Sequence, residues 1–441
     1  MKFDLQFFAA TDLINVLHSG TPDSYAVNGI TGEARNPNLI DNDLSPEIKD
    51  FYDTDLLKNY RTKMVYGQFA KNVAMPYHRG GVVEFRKFNR FKKANKLQEG
   101  VIPEGQPLGV TKITGAIGQY GTYTAVSDIL EMRGYDPVIA ACIDEMSESA
   151  AFTHEMLIRD ALAAGTNVMF AQGVAQDGTT EEVESRDDLG ANADTYAYLL
   201  TPKMVNRIYT CMRKNKVPYL PGNTYAMVCH PSVIYDLRES NEWLGIMKYT
   251  EMGVRQIFNG EAGMIHNVRI VVNPDAPILG EKLTDGDSPC DLKLAALENA
   301  GSTFTLADTS LPEADCLKGI KVRFLDEDGE RTITGNTTTA VTLDGDARTV
   351  TANQILRAAG AAGNGEHVYL SYAFGLDAFA TIDPAGGWLE VIVKGKEYGG
   401  PLNQFSTIGY KFETNGATIL YQERMVRFES LSSYGATDDA N

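Results

Sequence analysis

Residues 78 to 125 alternate like paired strands yet carry few large apolar side chains at their turn, so a chain containing them must give them something to lie on. Val82-Val83-Glu84-Phe85 opens one strand, and Arg86-Lys87-Phe88-Asn89-Arg90-Phe91-Lys92-Lys93 continues from it. A Pro/Gly-rich turn, Glu99 to Gly105, reverses the chain, and Val110, Ile113, Ile117, Tyr120, Tyr123 and Val126 return. The spacing predicts a long two-stranded ribbon with a polar tip. An isolated ribbon of this kind buries too little to be stable in water.

The strongest helix signal follows. Asp136-Pro137 supplies a cap and a first-turn proline, and Ile139, Ile143, Met146, Ala150, Leu157 and Ala161 recur at helical spacing. Thr153 or His154 bridges the one long gap, and Gly165 ends the run. A helix over 137–164 would be about 42 Å long at ~1.5 Å per residue. Before the ribbon, residues 1–50 are rich in Asn, Asp, Pro, Gly and Thr and read as an extended arm, and a helix is expected around 46–70.

After it, the Asp/Glu/Gly-rich stretch 172–200 reads as a mobile loop. A second region then begins with helix 202–215, strand 225–229, helix 232–239 and strand 268–272. Strand character returns at 368–373, 388–393, 408–412 and 425–428. Residues 277–366 differ in composition, with 15 acidic against 8 basic residues and hairpin signals at Asp328-Gly329 and Asp344-Gly345. Because strands of one region flank it on both sides, this stretch reads as a small inserted β-rich domain.

Charge and cysteine usage exclude several classes. With 58 acidic and 40 basic residues the net charge is −18, which opposes a primary nucleic-acid or anionic-membrane binder. The five cysteines are scattered without a CxxC pair, so neither a zinc ribbon nor a disulfide framework is expected, and a reducing cytoplasm suits the chain. No apolar run is long enough for a signal peptide or a membrane span.

The sequence holds no catalytic constellation, no cofactor loop and no metal set. His154-Glu155 lacks the second histidine of a zinc-protease helix, because position 158 is Ile, and a residue facing solvent or a neighbour is the plainer reading. Cys229-His230 are adjacent on a strand and point to opposite faces, a poor geometry for a nucleophile and its base. Gly363-Asn364-Gly365 lacks the third glycine of a dinucleotide loop, and Asp326 to Gly329 has its glycine too early for a calcium loop.

One patch stands out: Phe85, Arg86, Lys87, Phe88, Arg90, Phe91, Lys92 and Lys93, with Lys96 beyond. Aromatics among cations suit single-stranded nucleic acid, a solvated strand edge explains the charges without a partner, and a basic arm also fits the acidic surface of another copy of the same chain. The third reading suits the overall −18 best.

The strings themselves carry a resemblance. VVEFRKF (82–88), the segment 99–130 beginning EGVIPEGQPLGV, the helix DPVIAACIDEMSESAAFTHEMLIRDALAAGTNV (136–168), YAMVCHPSVIYDLR (225–238), IFNGEAG (257–263), PLNQFSTIGYKF (401–412) and RMVRFES (424–430) occur in order. Together with the opening MKFDLQFFA, they resemble the major capsid proteins of tailed bacteriophages, in the family typified by coliphage N-four.

That resemblance implies an α+β fold of the Hong Kong 97 type. It implies an N-terminal arm (1–50), a helix leading into the shell domain (51–77), an extended loop overlapping a neighbouring subunit (78–125), and a peripheral domain (126–200) with a spine helix (136–164). An axial domain in two parts (201–276 and 367–420), interrupted by 277–366, and a C-terminal strand and tail (421–441) complete the layout. The implied role is a structural, non-enzymatic shell subunit of the virion, assembled in the bacterial cytoplasm from hexamers and pentamers around double-stranded DNA. Implied partners are a separate scaffolding protein, since only about 50 non-helical residues precede the shell region, a portal and a decoration protein. The segment 277–366 exceeds the family pattern, and an outward decorating or stabilising role is expected for it. Alternatives are an encapsulin-like nanocompartment on the same fold, a cytoplasmic enzyme without a recognisable motif, or a single-stranded nucleic-acid binder using 85–96.

Overall fold

The computed structural model describes residues 16–17, 65–75, 81–88, 91, 93–94, 96, 105–133, 138–240, 243, 261–284, 288–307, 311–325, 329–384, 389–394, 404–435, 438 and 440. Within them the chain is α+β, with many strands and few helices, and it divides into two compact units. One unit combines 72–158 with 380–418, and the other 65–71, 159–379 and 419–441. Most of the arm, and residues 46–64 of the helix expected over 46–70, lie outside the described residues. Where that helix should end, Tyr66–Phe69 makes a single 3-10 turn, and Tyr66 and Phe69 pack on Tyr372 and Phe374.

In the first unit the core is a helix on a sheet. The strand Phe405–Thr414 alternates buried residues with half-buried or exposed ones over its whole length, and it pairs antiparallel with Gly118–Ser127 and with Leu389–Lys394. Ile408, Tyr410 and Phe412 share one side of that strand and pack with Val126, Leu130, Met146 and Ala150. Helix α1 (Asp128–Arg133) follows the sheet, and helix α2 (Val138–Ala163) is 26 residues, about 39 Å, long. The buried stripe of α2 runs Met146, Ala150, His154, Ile158, Leu162, one residue every four. His154 therefore does not face solvent: its ring meets Phe412 edge-on at 6.2 Å.

The ribbon is shorter than its expected bounds of 78–125. Val82–Phe88 and Val110–Ala116 pair with each other in unbroken register, but Gly118–Ser127 leaves the ribbon for the sheet with Phe405–Thr414.

The second unit centres on Val368–Phe374, whose seven residues are all buried. It pairs antiparallel with Tyr225–Cys229 on one side and Met425–Ser430 on the other, and Val268–Val272 and Val168–Phe170 extend the sheet in parallel. Strands buried on both faces read as continuous apolar runs, as Tyr225–Cys229 does; Val268–Val272 is interrupted by the buried Arg269, whose Nε donates to the Thr224 hydroxyl at 2.9 Å. Helix α3 (Pro202–Lys214) is capped by the Thr201 hydroxyl, and α4 (Pro231–Glu239) by the His230 ring; each has proline in its first turn.

Residues 172–200 are not a bare loop. Gly173–Ala175 pairs with Thr180–Glu181 and with Tyr196–Ala197, and Leu189, Tyr198 and Leu200 enter the core. Arg186 reaches the fully buried Glu429 with two hydrogen bonds of 2.7 and 2.8 Å, and Arg427 Nε lies 3.1 Å from the same carboxylate. A buried carboxylate is tolerated because cations surround it.

Residues 291–358 form a sheet of their own in the order Asp291–Leu294, Gln354–Ala358, Lys321–Phe324, Arg331–Asn336, Ala340–Leu343, Thr303–Thr305. Its two ends meet: Leu294 bridges Leu306, Ala295 N donates to Thr305 O at 2.8 Å, and Ala307 N donates to Lys293 O at 2.9 Å. The six strands thus close into a small barrel with no open edge at that seam. Leu292, Phe304, Val322, Phe324, Ile333, Val341 and Leu356 fill it, separate from the core around Val368–Phe374. Arg357 grips Asp291 at 2.6 and 2.7 Å, Arg323 pairs with Asp187, and Gly363 N donates to Leu189 O at 2.7 Å. Glycine is required at 363, because a Cβ there would collide with the Asp187 carbonyl oxygen.

The barrel core makes a quantitative expectation. Phe304 is fully buried and meets Phe324 edge-on at 5.6 Å. Phe304→Ala should cost about 3–5 kcal/mol in urea unfolding, whereas Leu325→Ala, on a half-exposed residue, should cost under about 0.5 kcal/mol. Equal effects would contradict a packed barrel interior.

Candidate assembly surface

The cationic and aromatic residues singled out in the sequence fall on both faces of the ribbon. Along Val82–Phe88 exposed and half-buried residues alternate, and the register places Arg86 opposite Lys112, Phe88 opposite Val110, Phe85 opposite Ile113 and Lys87 opposite Thr111. Arg86 and Phe88 therefore share one face, and Phe85 and Lys87 share the other. Phe91 and Lys93 lie beyond the strand and are exposed, while Arg90 and Lys92 fall outside the described residues. The two-residue period already implied this split, which a list of neighbours in sequence conceals.

The root of the ribbon is seated. Ile117 N donates to Gly81 O at 2.9 Å. Gly115 is buried, and a Cβ there would lie 2.7 Å from Thr418 Oγ1 and 2.9 Å from Ile382 Cδ1. The far end is not seated in the same way. Phe88, Phe91, Leu108 and Val110 are each more than half exposed, at 58%, 61%, 54% and 51%. Phe88 and Val110 stand opposite each other, so part of this apolar surface is contiguous. Clustered exposed apolar side chains of this size mark an interaction surface.

The charges nearby are partly matched. Glu84 accepts from Lys112 Nζ at 2.7 Å and from Arg86 Nε at 3.2 Å. The Lys112 hydrogen bond, and then that of Arg86, hold the Glu84 carboxyl below its ordinary pKa. One face of the ribbon thus presents Glu84, Arg86 and Lys112 as a near-balanced triplet beside apolar Phe88 and Val110, a composition suited to a protein partner.

The other chemical candidates resolve into packing. Cys229 sits in the core with its thiol pushed up to about 12 by burial. His230 Nδ1 accepts from Ser232 N at 3.3 Å and caps α4. One pairing escaped sequence reasoning: Cys290 Sγ lies 3.6 Å from His367 Nδ1, although 77 residues separate them. That nitrogen donates to Gly280 O at 2.7 Å, and burial pushes the Cys290 thiol up to about 12, the reverse of an activated nucleophile. Gly363 and Gly365 belong to a tight turn against Asp187 and Asp291. Asp326, Glu327 and Asp328 lie outside the described residues. Among the described residues, no cluster of three or more His, Cys, Asp or Glu side chains could hold a metal, and no helix is long and apolar enough to cross a membrane.

No family model and no curated protein matches the chain. Solved structures do. The capsid structure of cyanophage P-SCSP1u aligns with a TM-score of 0.51 at 12% identity, covering 94% of this chain and 100% of that one. A chain of the cyanophage Pam1 capsid asymmetric unit aligns with a TM-score of 0.50 at 11% identity, covering 88% of this chain and 97% of that one. At such identities the likeness is one of fold: this chain and the matched chains of the two phage capsid structures share an architecture over most of their lengths.

The Glu84 triplet can be tested directly. A carboxyl whose folded pKa is depressed stays charged to lower pH, and its contribution fades as pH falls through that pKa. Lys112→Met should move the Glu84 midpoint upward, toward an ordinary glutamate, in a pH titration of carbon-13-labelled glutamate side chains. An unmoved midpoint would contradict the cross-strand pairing.

Proposed function

We propose that the chain is the major capsid subunit of a tailed double-stranded DNA bacteriophage, a structural protein that joins many copies of itself in the hexamers and pentamers of an icosahedral head. The observation that carries this reading is the ribbon. Among the described residues, it presents the large apolar side chains Phe88, Phe91, Leu108 and Val110 to solvent away from its root, in a chain whose fold is shared with phage capsid structures. A surface like that is stable in solution only at a cost, and a neighbouring copy would cover it.

The finer layout follows the Hong Kong 97 type. The ribbon is the extended loop, α2 is the spine helix of a peripheral domain, and the sheet around Val368–Phe374 with α3 and α4 belongs to the axial domain. The barrel over 291–358 is an inserted domain, and its acidic composition and closed seam suit an outward, solvent-facing position. Scaffolding comes from a separate protein, a portal occupies one vertex, and a decoration protein has the outer face available. The genome is contacted without sequence specificity, in keeping with a subunit of net charge −18. Subunits assemble in the bacterial cytoplasm and reside in the virion.

The basic side chains of the ribbon engage an acidic surface of the next subunit. Arg86, Lys87, Lys92 and Lys93 changed together to Glu should abolish closed particles in electron micrographs. The circular-dichroism spectrum and melting temperature should stay those of the parent, because the described members of the set are not core residues. Normal shells from this variant would contradict the docking role of the ribbon.

A further inference from the structure

Helix α3 has a core face and a cationic face. Pro202, Met204, Val205, Ile208 and Met212 are buried, and Lys203, Arg207, Thr210 and Lys214 lie exposed along the opposite side at intervals of four, three and four residues. Those intervals keep them in one line about 16 Å long at ~1.5 Å per residue. Residues 201–235 contain five lysines and arginines and no aspartate or glutamate, in a chain of net charge −18.

A groove of about 820 Å³ runs beside this line. Its other wall is formed by the neutral side chains Asn167, whose amide donates to Met425 O at 2.8 Å, Gln172 and Thr180, and its one carboxylate is Glu182. Glu182 is engaged already, accepting from Arg207 Nη1 at 2.9 Å and from the Gln172 amide. The groove is therefore positive overall.

We propose that the Lys203–Arg207–Lys214 line of α3, with the groove beside it, is a docking surface for the phosphate backbone of duplex DNA. The choice of a duplex rests on the shell reading above, and the chemistry supports it. Lysine, arginine and amide donors in a line are the means by which proteins hold a phosphate backbone without reading sequence. Bases of a single strand would need open aromatic faces. The nearby tyrosines are committed, since Tyr209 and Tyr219 hydrogen-bond each other at 2.8 Å and Arg213 covers the Tyr219 ring at 4.5 Å. A protein partner would need exposed apolar anchors, and none of the groove residues is among the exposed large hydrophobics.

The test is fluorescence polarisation of the full-length chain with a short random-sequence duplex across a salt series. Three phosphate contacts predict a log–log salt slope of about −2.7, or about 40-fold weaker binding between about 50 and 200 mM salt. Lys203→Gln with Lys214→Gln should leave a slope of about −0.9 and only a three- to fourfold loss. The control pair Lys318→Gln and Lys321→Gln, exposed and distant in sequence from α3, should keep the parent slope. All four positions lie outside the core, so unchanged melting curves check folding. An α3 variant that binds like the parent, or a parent chain that does not bind duplex, overturns the proposal. So does an α3 variant with parental duplex binding that no longer forms particles, because the partner would then be a second copy. Particle formation by the parent, scored separately by electron microscopy, decides the shell reading and leaves the DNA result to stand alone.

Discussion

Strand pairing across very long stretches of chain holds each unit together. Gln119 and Glu413 are 294 residues apart, yet they are paired in register and joined by a side-chain hydrogen bond. In the second unit, Val368–Phe374 recruits Tyr225–Cys229 from far upstream and Met425–Ser430 from downstream. Such pairings must close large loops before they are rewarded by burial, so this chain should fold slowly and expose sheet edges on the way. Closure of the 291–358 sheet on itself removes one of those edges locally, because Leu294 and Leu306 join its ends.

With the cores so completed, the ribbon is left over. Its root packs closely at Gly115, where a Cβ would press on the Thr418 and Ile382 side chains, while Phe88, Phe91, Leu108 and Val110 remain in solvent. Under the proposed role, an arm that gains little by itself and much against a neighbour would serve controlled association, its full burial coming only when a partner covers the surface. The negative charge of the whole chain supports the same behaviour, since like-charged subunits avoid indiscriminate contact while matched basic and acidic patches select the intended one. The cationic line of α3 is a second local exception to the overall charge.

Local signals were legible in the sequence, and distant ones were not. The helices over 202–215 and 232–239 and the strands over 225–229 and 268–272 were placed from local pattern, although Arg269 breaks the apolar run of Val268–Val272. The helix at 138–163 was visible from its spacing, but its later stripe passes through His154, Ile158 and Leu162 because a histidine packs against Phe412. Residues 172–200 looked like solvent-exposed loop because their acids and glycines dominate. What orders them is Arg186 on Glu429 and three core side chains, partners that no local window contains. Gly118–Ser127 was assigned to the ribbon for the same reason, as its true partner lies near residue 410. The ribbon patch was found by composition, and its division between two faces required the strand period and register.

The proposed role requires that copies of this chain close into shells. Electron microscopy of the purified, concentrated protein, with and without a co-expressed scaffolding protein from its own genome, tests it most directly. Closed icosahedral particles, or tubes and sheets of hexamers, are the predicted result. Small discrete particles in both samples would contradict it.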